Sequence, residues 1–330
     1  MLKSSTFPRM AHIAVTLLCN SKCIMCDIWK NNKKDGFDNE IYRKLPNSLG
    51  EIDITGGEPF LRDDLPEIVK ILKETCPKAK LLIITNGYLT EKIRKILPLI
   101  LREDSNIALR VSLDGWNSVH NKIRRLPDFF NKVMKTLNVL KECRVKDIGI
   151  IYTLMKNNAD EVEKIINYCK KNKFNFSMNI VHDSISYYGD NKKMQLRPKY
   201  KKAKAIIKKN IFFQSRSFNP KRWGKAWFYK SQLDYLRTRK RQLPCYAGED
   251  FFYLDSFGNV YMCQFKSWLI GNLITDDFKT IWSSSKRRKY LIKCQSCNDC
   301  WIMCSAKTAI KRNKISIIFE FWKKRLQLFK

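Results

Sequence analysis

The stretch "TLLCNSKCIMCDIW", residues 16–29, carries three cysteines, Cys19, Cys23 and Cys26, within eight residues and no fourth. A closed structural metal site normally takes four protein ligands. Three thiolates spaced C-x3-C-x2-C leave one coordination position for something else. The loop also follows an apolar run, "HIAVTLL" (12–18), of the composition expected for a strand covered on both faces.

Outward from that loop, the first half of the chain alternates strand-like and helix-like segments. Further strand candidates are "EIDIT" (51–55), "KLLIIT" (80–85), "IALRVSL" (107–113), "DIGIIYTL" (147–154) and "FNFSMNI" (174–180). Between them, "LPEIVKILKETC" (65–76) and "DEVEKIINYCKKN" (160–172) repeat apolar residues at helical spacing. Such alternation predicts a parallel sheet with right-handed crossovers, closed as a complete or partial barrel. Folds of that kind place their sites at the C-terminal ends of the strands. The cysteine loop follows the first strand, "TGGEPF" (55–60) the second, "TNG" (85–87) the third and "SLDG" (112–115) the fourth.

The formal charge is +33. Between Lys192 and Arg241 there are eighteen Lys/Arg and a single acid, Asp234, with Trp223, Trp227, Phe228 and Tyr229 interleaved. A solvated, lysine-biased surface and an anionic partner both account for this. No apolar run approaches the ~20 residues that span a bilayer, and an N-terminal signal peptide would run into the first cysteine; the expected location is cytoplasmic. Of the 12 cysteines, Cys76, Cys143 and Cys169 stand alone and are expected as small buried hydrophobes. The others fall into two groups, the loop and a C-terminal set of Cys245, Cys263, Cys294, Cys297, Cys300 and Cys304. In a chain without a secretion signal, clustered cysteines point to metal rather than disulfides.

Closely spaced thiolates bind zinc or iron–sulfur clusters. A tight three-cysteine loop can ligate three irons of a cubane and leave the fourth iron free for a small molecule. Zinc lacks a nearby fourth ligand, because Cys76 lies in a helix-like segment.

With these motifs in place, residues 1–185 resemble the core of the radical S-adenosylmethionine (radical SAM) superfamily. The resemblance implies a partial (β/α)6 barrel whose Cys19, Cys23 and Cys26 hold a [4Fe–4S] cluster that chelates S-adenosylmethionine. Met25 takes the place before the third cysteine, usually aromatic or large and apolar. The segment Gly56, Gly57, Glu58 and Pro59 resembles the methionine-binding segment, in which glycines allow close backbone approach. Ser112 and Asp114 match the position that meets the ribose hydroxyls, and Thr85 and Asn86 share the same rim.

A second resemblance covers residues 245–304. Cys245, twelve residues, Gly258, four residues, Cys263 is the spacing that opens a SPASM or twitch domain, and "FGNVYMC" (257–263), "IGNL" (270–273) and "IW" (281–282) are similar to its hairpin and helix. The last four cysteines, C-x2-C-x2-C-x3-C, have the spacing of a bacterial ferredoxin run. That implies one or two auxiliary iron–sulfur clusters, with Cys304 joining Cys245 and Cys263, and Cys294, Cys297 and Cys300 forming a second site. SPASM domains usually carry a longer gap and a further cysteine. Six cysteines cannot fully ligate two cubanes, so a non-cysteine ligand such as Asp299 or an open iron is expected if there are two.

Residues 186–244 are expected as a basic linker and helical region. Residues 305–330 are expected as one amphipathic helix with Ile315, Phe319, Trp322, Leu326 and Phe329 on a face, docked on its own domain or lying on an anionic membrane surface. The implied function is reductive cleavage of S-adenosylmethionine, fed by a flavodoxin or ferredoxin, and hydrogen abstraction from a peptide or protein. The same chemistry on a phosphorylated or lipid-linked small molecule is the alternative. A zinc-stabilised nucleic-acid-binding protein is the rival from another class.

Overall fold

The computed structural model describes residues 7–31, 36, 38–182, 195–215 and 220–320. Its first six strands are β1 (Met10–Thr16), β2 (Glu51–Gly56), β3 (Lys80–Thr85), β4 (Ala108–Ser112), β5 (Asp147–Leu154) and β6 (Asn175–Ile180). Each pairs in parallel with the next in sequence order. The helices between them are α1 (Leu65–Thr75), α2 (Thr90–Glu103), α3 (Ser118–Arg124), α4 (Phe129–Glu142) and α5 (Val162–Lys171).

Alternation along the strands defines two faces. Ile54, Ile83, Leu109 and Ile150 are fully buried and belong to one core with Ile68 and Leu72 of α1, Leu97 of α2 and Leu137 of α4. The intervening residues, including Leu82, Ile84, Ser112, Ile151 and Thr153, are only half-buried. One face of the sheet is thus sealed by helices, and the other is concave and only partly covered, with His12 and Asp53 on it buried. Cys76 and Cys169 are buried in the sealed core and Cys143 half-buried. Burial pushes the Cys76 thiol up to about 11 and Cys169 up to about 12, as expected of inert packing residues.

The cysteine-rich segment contains more regular structure than its sequence signals suggest. It forms β7 (Phe251–Leu254), β8 (Asn259–Cys263) and β9 (Lys266–Asn272), then α8 (Phe278–Ser283), α9 (Ser285–Gln295) and α10 (Met303–Arg312), where α6 and α7 denote the two helices preceding β7. β7 pairs in parallel with β1, and β8 and β9 follow antiparallel, giving one nine-stranded sheet in the order β6-β5-β4-β3-β2-β1-β7-β8-β9. The free edge of β1 is a ready template, so this segment continues the barrel wall.

The helices before β7 are α6 (Tyr200–Ser215) and α7 (Pro220–Thr238). Of the four aromatic residues interleaved with basic ones in α7, Trp223 is half-buried and the other three are turned into the core. Trp227, Phe228 and Tyr229 are buried, and Phe228 and Trp227 pack against Trp301. Several of the basic residues are engaged within the chain, two of them in exposed surface pairs. Lys202 and Lys209 pair with Asp160 and Glu163 beside α5, and Arg241 donates to the carbonyl of Cys300 at 2.7 Å.

The tail differs from a single continuous helix. A turn at Asn313 follows α10, and helical backbone resumes over 314–320. Ile317 is buried while Ile315 and Phe319 are exposed. Glu320 accepts from the Trp227 indole at 2.9 Å and pairs with Lys230, tying this piece to α7. Trp322, Leu326 and Phe329 lie outside the described residues.

Candidate active site at the strand C-terminal rim

The cysteine loop is fastened from two sides. On one side the backbone N–H of Gly57 donates to Thr16 O at 2.7 Å and that of Glu58 to Leu18 O at 2.9 Å. A Cβ on Gly57 would lie 1.8 Å from Leu18 O, and Gly56, at φ +133°, would meet Thr16 O at 2.0 Å. The glycines therefore admit the chain's own backbone, clamping the Gly56–Pro59 turn against the residues that lead into Cys19. On the other side Ile24 N–H donates to Ile123 O at 3.0 Å, and Cys23 and Met25 pack with Ile123, Met155 and Val181 in a small apolar cluster. That cluster shields the loop from water.

Glu58 is fully buried and joins three elements. Its Oε1 accepts from Thr85 Oγ1 at 2.7 Å and Phe60 N at 3.1 Å, and its Oε2 accepts from Asn86 N at 2.6 Å. Thr85 and Asn86 are thus held by Glu58, and Asn86 Nδ2 turns back to Asn20 Oδ1 at 2.7 Å, beside Cys19. The glutamate fixes the rim; its oxygens are directed at protein donors.

Burial raises the Glu58 carboxyl from 4.5 to about 7 against these hydrogen bonds. A raised carboxyl keeps its proton in the folded state after the unfolded chain has lost it. Stability should therefore fall as pH rises from about 4.5 to about 7, by about 3 kcal/mol. Urea unfolding of the metal-free chain at both ends of that window checks this. The Glu58→Gln variant should lose this component of the slope, and an unchanged slope would contradict the assignment.

Asp114 departs from its expected place at the ribose. Its Oδ2 accepts from Arg124 Nε at 2.8 Å and also from Arg124 Nη2, and its Oδ1 accepts from Thr153 N at 2.7 Å. The side chain has no exposed surface. Both oxygens are committed to protein, because helix α3 folds back and returns Arg124 beneath the rim. Ser112 remains half-buried at the end of β4.

Arg124 was not singled out by sequence spacing. It is buried, and while Nε holds Asp114, Nη1 lies 3.4 Å from Cys23 Sγ. Burial works against its charge, but Asp114 and Cys23 outweigh this and hold the guanidinium above its ordinary range. His120, also missed, accepts from Asp114 N at 3.0 Å through Nδ1, and burial keeps it well below its usual pKa and neutral. The only sequence signal for either is the run "SVHNKIR" itself.

Among the described residues, no group of three or more His, Cys, Asp or Glu side chains closes around a single metal ion. Ligands of a cubane sit on different irons and stand further apart. The loop suits that larger group. Burial pushes Cys19 up to about 12 and raises Cys26 further, and each is raised again by Cys23. Ionising all three thiols so close together would need a compensating cation, and metal binding with proton release supplies it. Arg124 adds a fixed positive donor at Cys23.

The C-terminal cysteines also lie within one another's fields. Cys245 acts on Cys263, Cys294, Cys297 and Cys300, and Cys304 is raised by burial, then by Cys300, Asp53 and Cys263. Asp299 is engaged by Lys266 at 2.6 Å and by the Cys297 thiol at 3.4 Å. A cleft of about 300 Å³ between α5 and α6 lies in the outer layer and not on the rim.

A parallel half-barrel with a three-thiol loop at its rim and a cysteine-rich extension of its sheet defines a class of cluster-binding enzymes. Residues 13–169 match the radical SAM superfamily, and residues 245–301 match SPASM, an iron–sulfur cluster-binding domain. The chain belongs to the radical SAM superfamily and is an enzyme with a SPASM domain. A [4Fe–4S] cluster, S-adenosylmethionine and auxiliary iron–sulfur clusters go with that membership.

Among curated relatives, a cysteine-type anaerobic sulfatase-maturating enzyme of Clostridium novyi is 24% identical over 90% of this chain and 86% of its own. A probable GTP 3',8-cyclase of Methanococcus maripaludis is 29% identical over 49% of this chain and 55% of its own, so the chain spans about half the length of such relatives. Among solved structures, native anSMEcpe with bound AdoMet and Cp18Cys peptide superposes with a TM-score of 0.66 at 19% identity, covering 98% of this chain and 99% of that one. Streptococcus suis SuiB bound to the precursor peptide SuiA gives 0.65 at 17%, covering 89% and 71%. No helix among the described residues is long and apolar enough to cross a membrane.

Proposed function

We propose that this enzyme abstracts hydrogen from a peptide or protein substrate lying against the concave face of the sheet. In this reading Cys19, Cys23 and Cys26 hold the first cluster, and the six C-terminal cysteines ligate the auxiliary centre or centres. Met25, Gly56, Gly57, Pro59 and Ser112 border S-adenosylmethionine, while Glu58, Thr85, Asn86 and Asp114 keep that border rigid. When bound, the cluster and S-adenosylmethionine supply a one-electron cleavage that yields a carbon radical able to attack an unreactive C–H bond. The protein orients the partners and excludes water, the latter through Met25, Ile123, Met155 and Val181.

The observation that carries the substrate class is the part of the concave face left uncovered at the strand C-terminal ends. Thr55, Ile84, Ser112 and Thr153, near the ends of β2 to β5, stay half-buried there, while α10 crosses the face below them from Asn179 on β6 to Glu51 on β2. A trough across several strand ends suits a segment of chain. The likeness of nearly the whole fold to structures solved with peptides supports this. The second reading, an anionic small molecule, draws on the GTP cyclase relatives, which match only about half of this chain.

The test is anaerobic turnover with dithionite and S-adenosylmethionine, with a pooled library of serine- and cysteine-containing peptides in one arm and GTP in the other. Peptide-stimulated 5'-deoxyadenosine formation, with a mass change in the responding peptide, is expected. Stimulation by GTP and by no peptide would sink the peptide reading.

A further inference from the structure

His12 on β1 and Asp53 on β2 face each other in the parallel register, with His12 Nδ1 3.1 Å from Asp53 Oδ2. Both are removed from water, His12 being 2% exposed and Asp53 6%. Each still leaves a polar atom without a hydrogen bond, His12 Nε2 and Asp53 Oδ1. Orphaned buried polar atoms cost about 1–3 kcal/mol each, and native structures rarely keep them without a use.

Helix α10 shows what lies against this pair. Lys307 and Lys311 both hold Glu51, which stands two residues before Asp53 and so points to the same face of β2. Cys304 precedes Lys307 by one helical turn on the same face of α10. Moving one turn back along the helix corresponds to moving two residues forward along the strand, which brings Cys304 against Asp53. The influence of the Asp53 carboxylate on the Cys304 thiol agrees with this placement. Gln264 Nε2 donates to Cys304 Sγ at 3.3 Å, and Gln264 adjoins Cys263.

The cysteines around this point are too few for two fully ligated four-iron clusters, and Asp299 is already held by Lys266. His12 offers what is missing: a buried imidazole with one nitrogen fixed by a carboxylate and the other free. Carboxylate–histidine pairs orient metal-bound histidines in the same way.

We infer that His12 Nε2 is an iron ligand of the auxiliary centre to which Cys304 belongs, with Asp53 retaining the Nδ1 proton. The inference rests on the reading that the C-terminal cysteines hold iron–sulfur clusters. Neutral imidazole in place of thiolate lowers the cluster's negative charge and raises its reduction potential, as it does when histidines replace cysteines at two-iron centres.

The experiment uses the full-length Cys19/Cys23/Cys26→Ala protein, in which only auxiliary centres can be reconstituted. It is prepared with ordinary and with 15N-labelled histidine, supplied with iron and sulfide, and reduced for electron–nuclear double resonance. The chain has three histidines, so the label is sparse. A histidine-nitrogen coupling of direct-bond strength is expected to change with the isotope. It should vanish when His12→Cys is added, with iron retained and the midpoint potential lowered. A reconstituted cluster without histidine coupling, or a coupling that survives His12→Cys, overturns the inference and leaves the auxiliary cluster standing. Absence of any iron–sulfur cluster overturns both. If His12→Cys does not fold, the same measurement on His120→Asn and His182→Asn proteins assigns the coupling: it should persist in both, and its loss in either overturns the inference.

Discussion

Replacing Cys23 with alanine is expected to reduce dithionite-driven cleavage of S-adenosylmethionine to background. Cys23 is the central thiol of the loop, raising both Cys19 and Cys26, and it receives the Arg124 guanidinium. Two thiols cannot hold a cubane by three corners, so the iron attributable to the loop should be lost with it. The iron of residues 245–304 should remain, because none of the C-terminal cysteines depends on this loop. Anaerobic purification with iron and sulfide counting, followed by chromatography of 5'-deoxyadenosine, checks both halves. Wild-type cleavage in the variant would remove the assignment of the loop.

Arg124→Leu should have the largest effect on stability. The substitution leaves the fully buried Asp114 carboxylate with the Thr153 N–H but without its cation. Breaking one partner out of a buried pair costs about 3–5 kcal/mol, mostly as the penalty of the charge left behind. Adding Asp114→Asn should recover much of that loss, since it removes the unpaired charge and keeps the shape. Urea denaturation of the metal-free proteins reads the difference, and a double variant no more stable than Arg124→Leu would place the cost elsewhere. Arg124→Lys should fall between, because an ammonium cannot reach Asp114 and Cys23 with separate nitrogens in one plane.

The barrel was legible because its signals are local. Lys80–Thr85 and Asp147–Leu154 are strands over the residues their apolar runs mark, and α1 ends one residue before the end of its pattern. Edge pairing is not local. Nothing in "FFYLDSFGNVYMC" states that its first strand will lie parallel to β1, residues 10–16, from the other end of the chain. The aromatic residues of α7 carry the same lesson. Interleaved with lysines they resemble a nucleic-acid surface, yet Phe228 and Tyr229 have no exposed area, because the helix turns them inward, and Lys225 beside them is itself half-buried and donates to the Phe176 carbonyl of β6.

The sequence by itself determined the chemistry available to this protein. Thiol spacing and the glycine pair follow from which atoms can approach a cluster or a backbone within a few residues, and a chain records that directly. Tertiary structure decided which polar groups are free to act. Asp114 and Glu58 have the composition of ligand-binding residues, but Arg124, Thr85 and the Asn86 backbone consume their oxygens. His12 has the spacing of an ordinary strand residue, and only the docking of α10 onto β2 carries Cys304 toward its partner Asp53. Partner choice among buried polar groups is set by contacts distant in sequence, where desolvation makes an unpaired group expensive, and no local pattern encodes it.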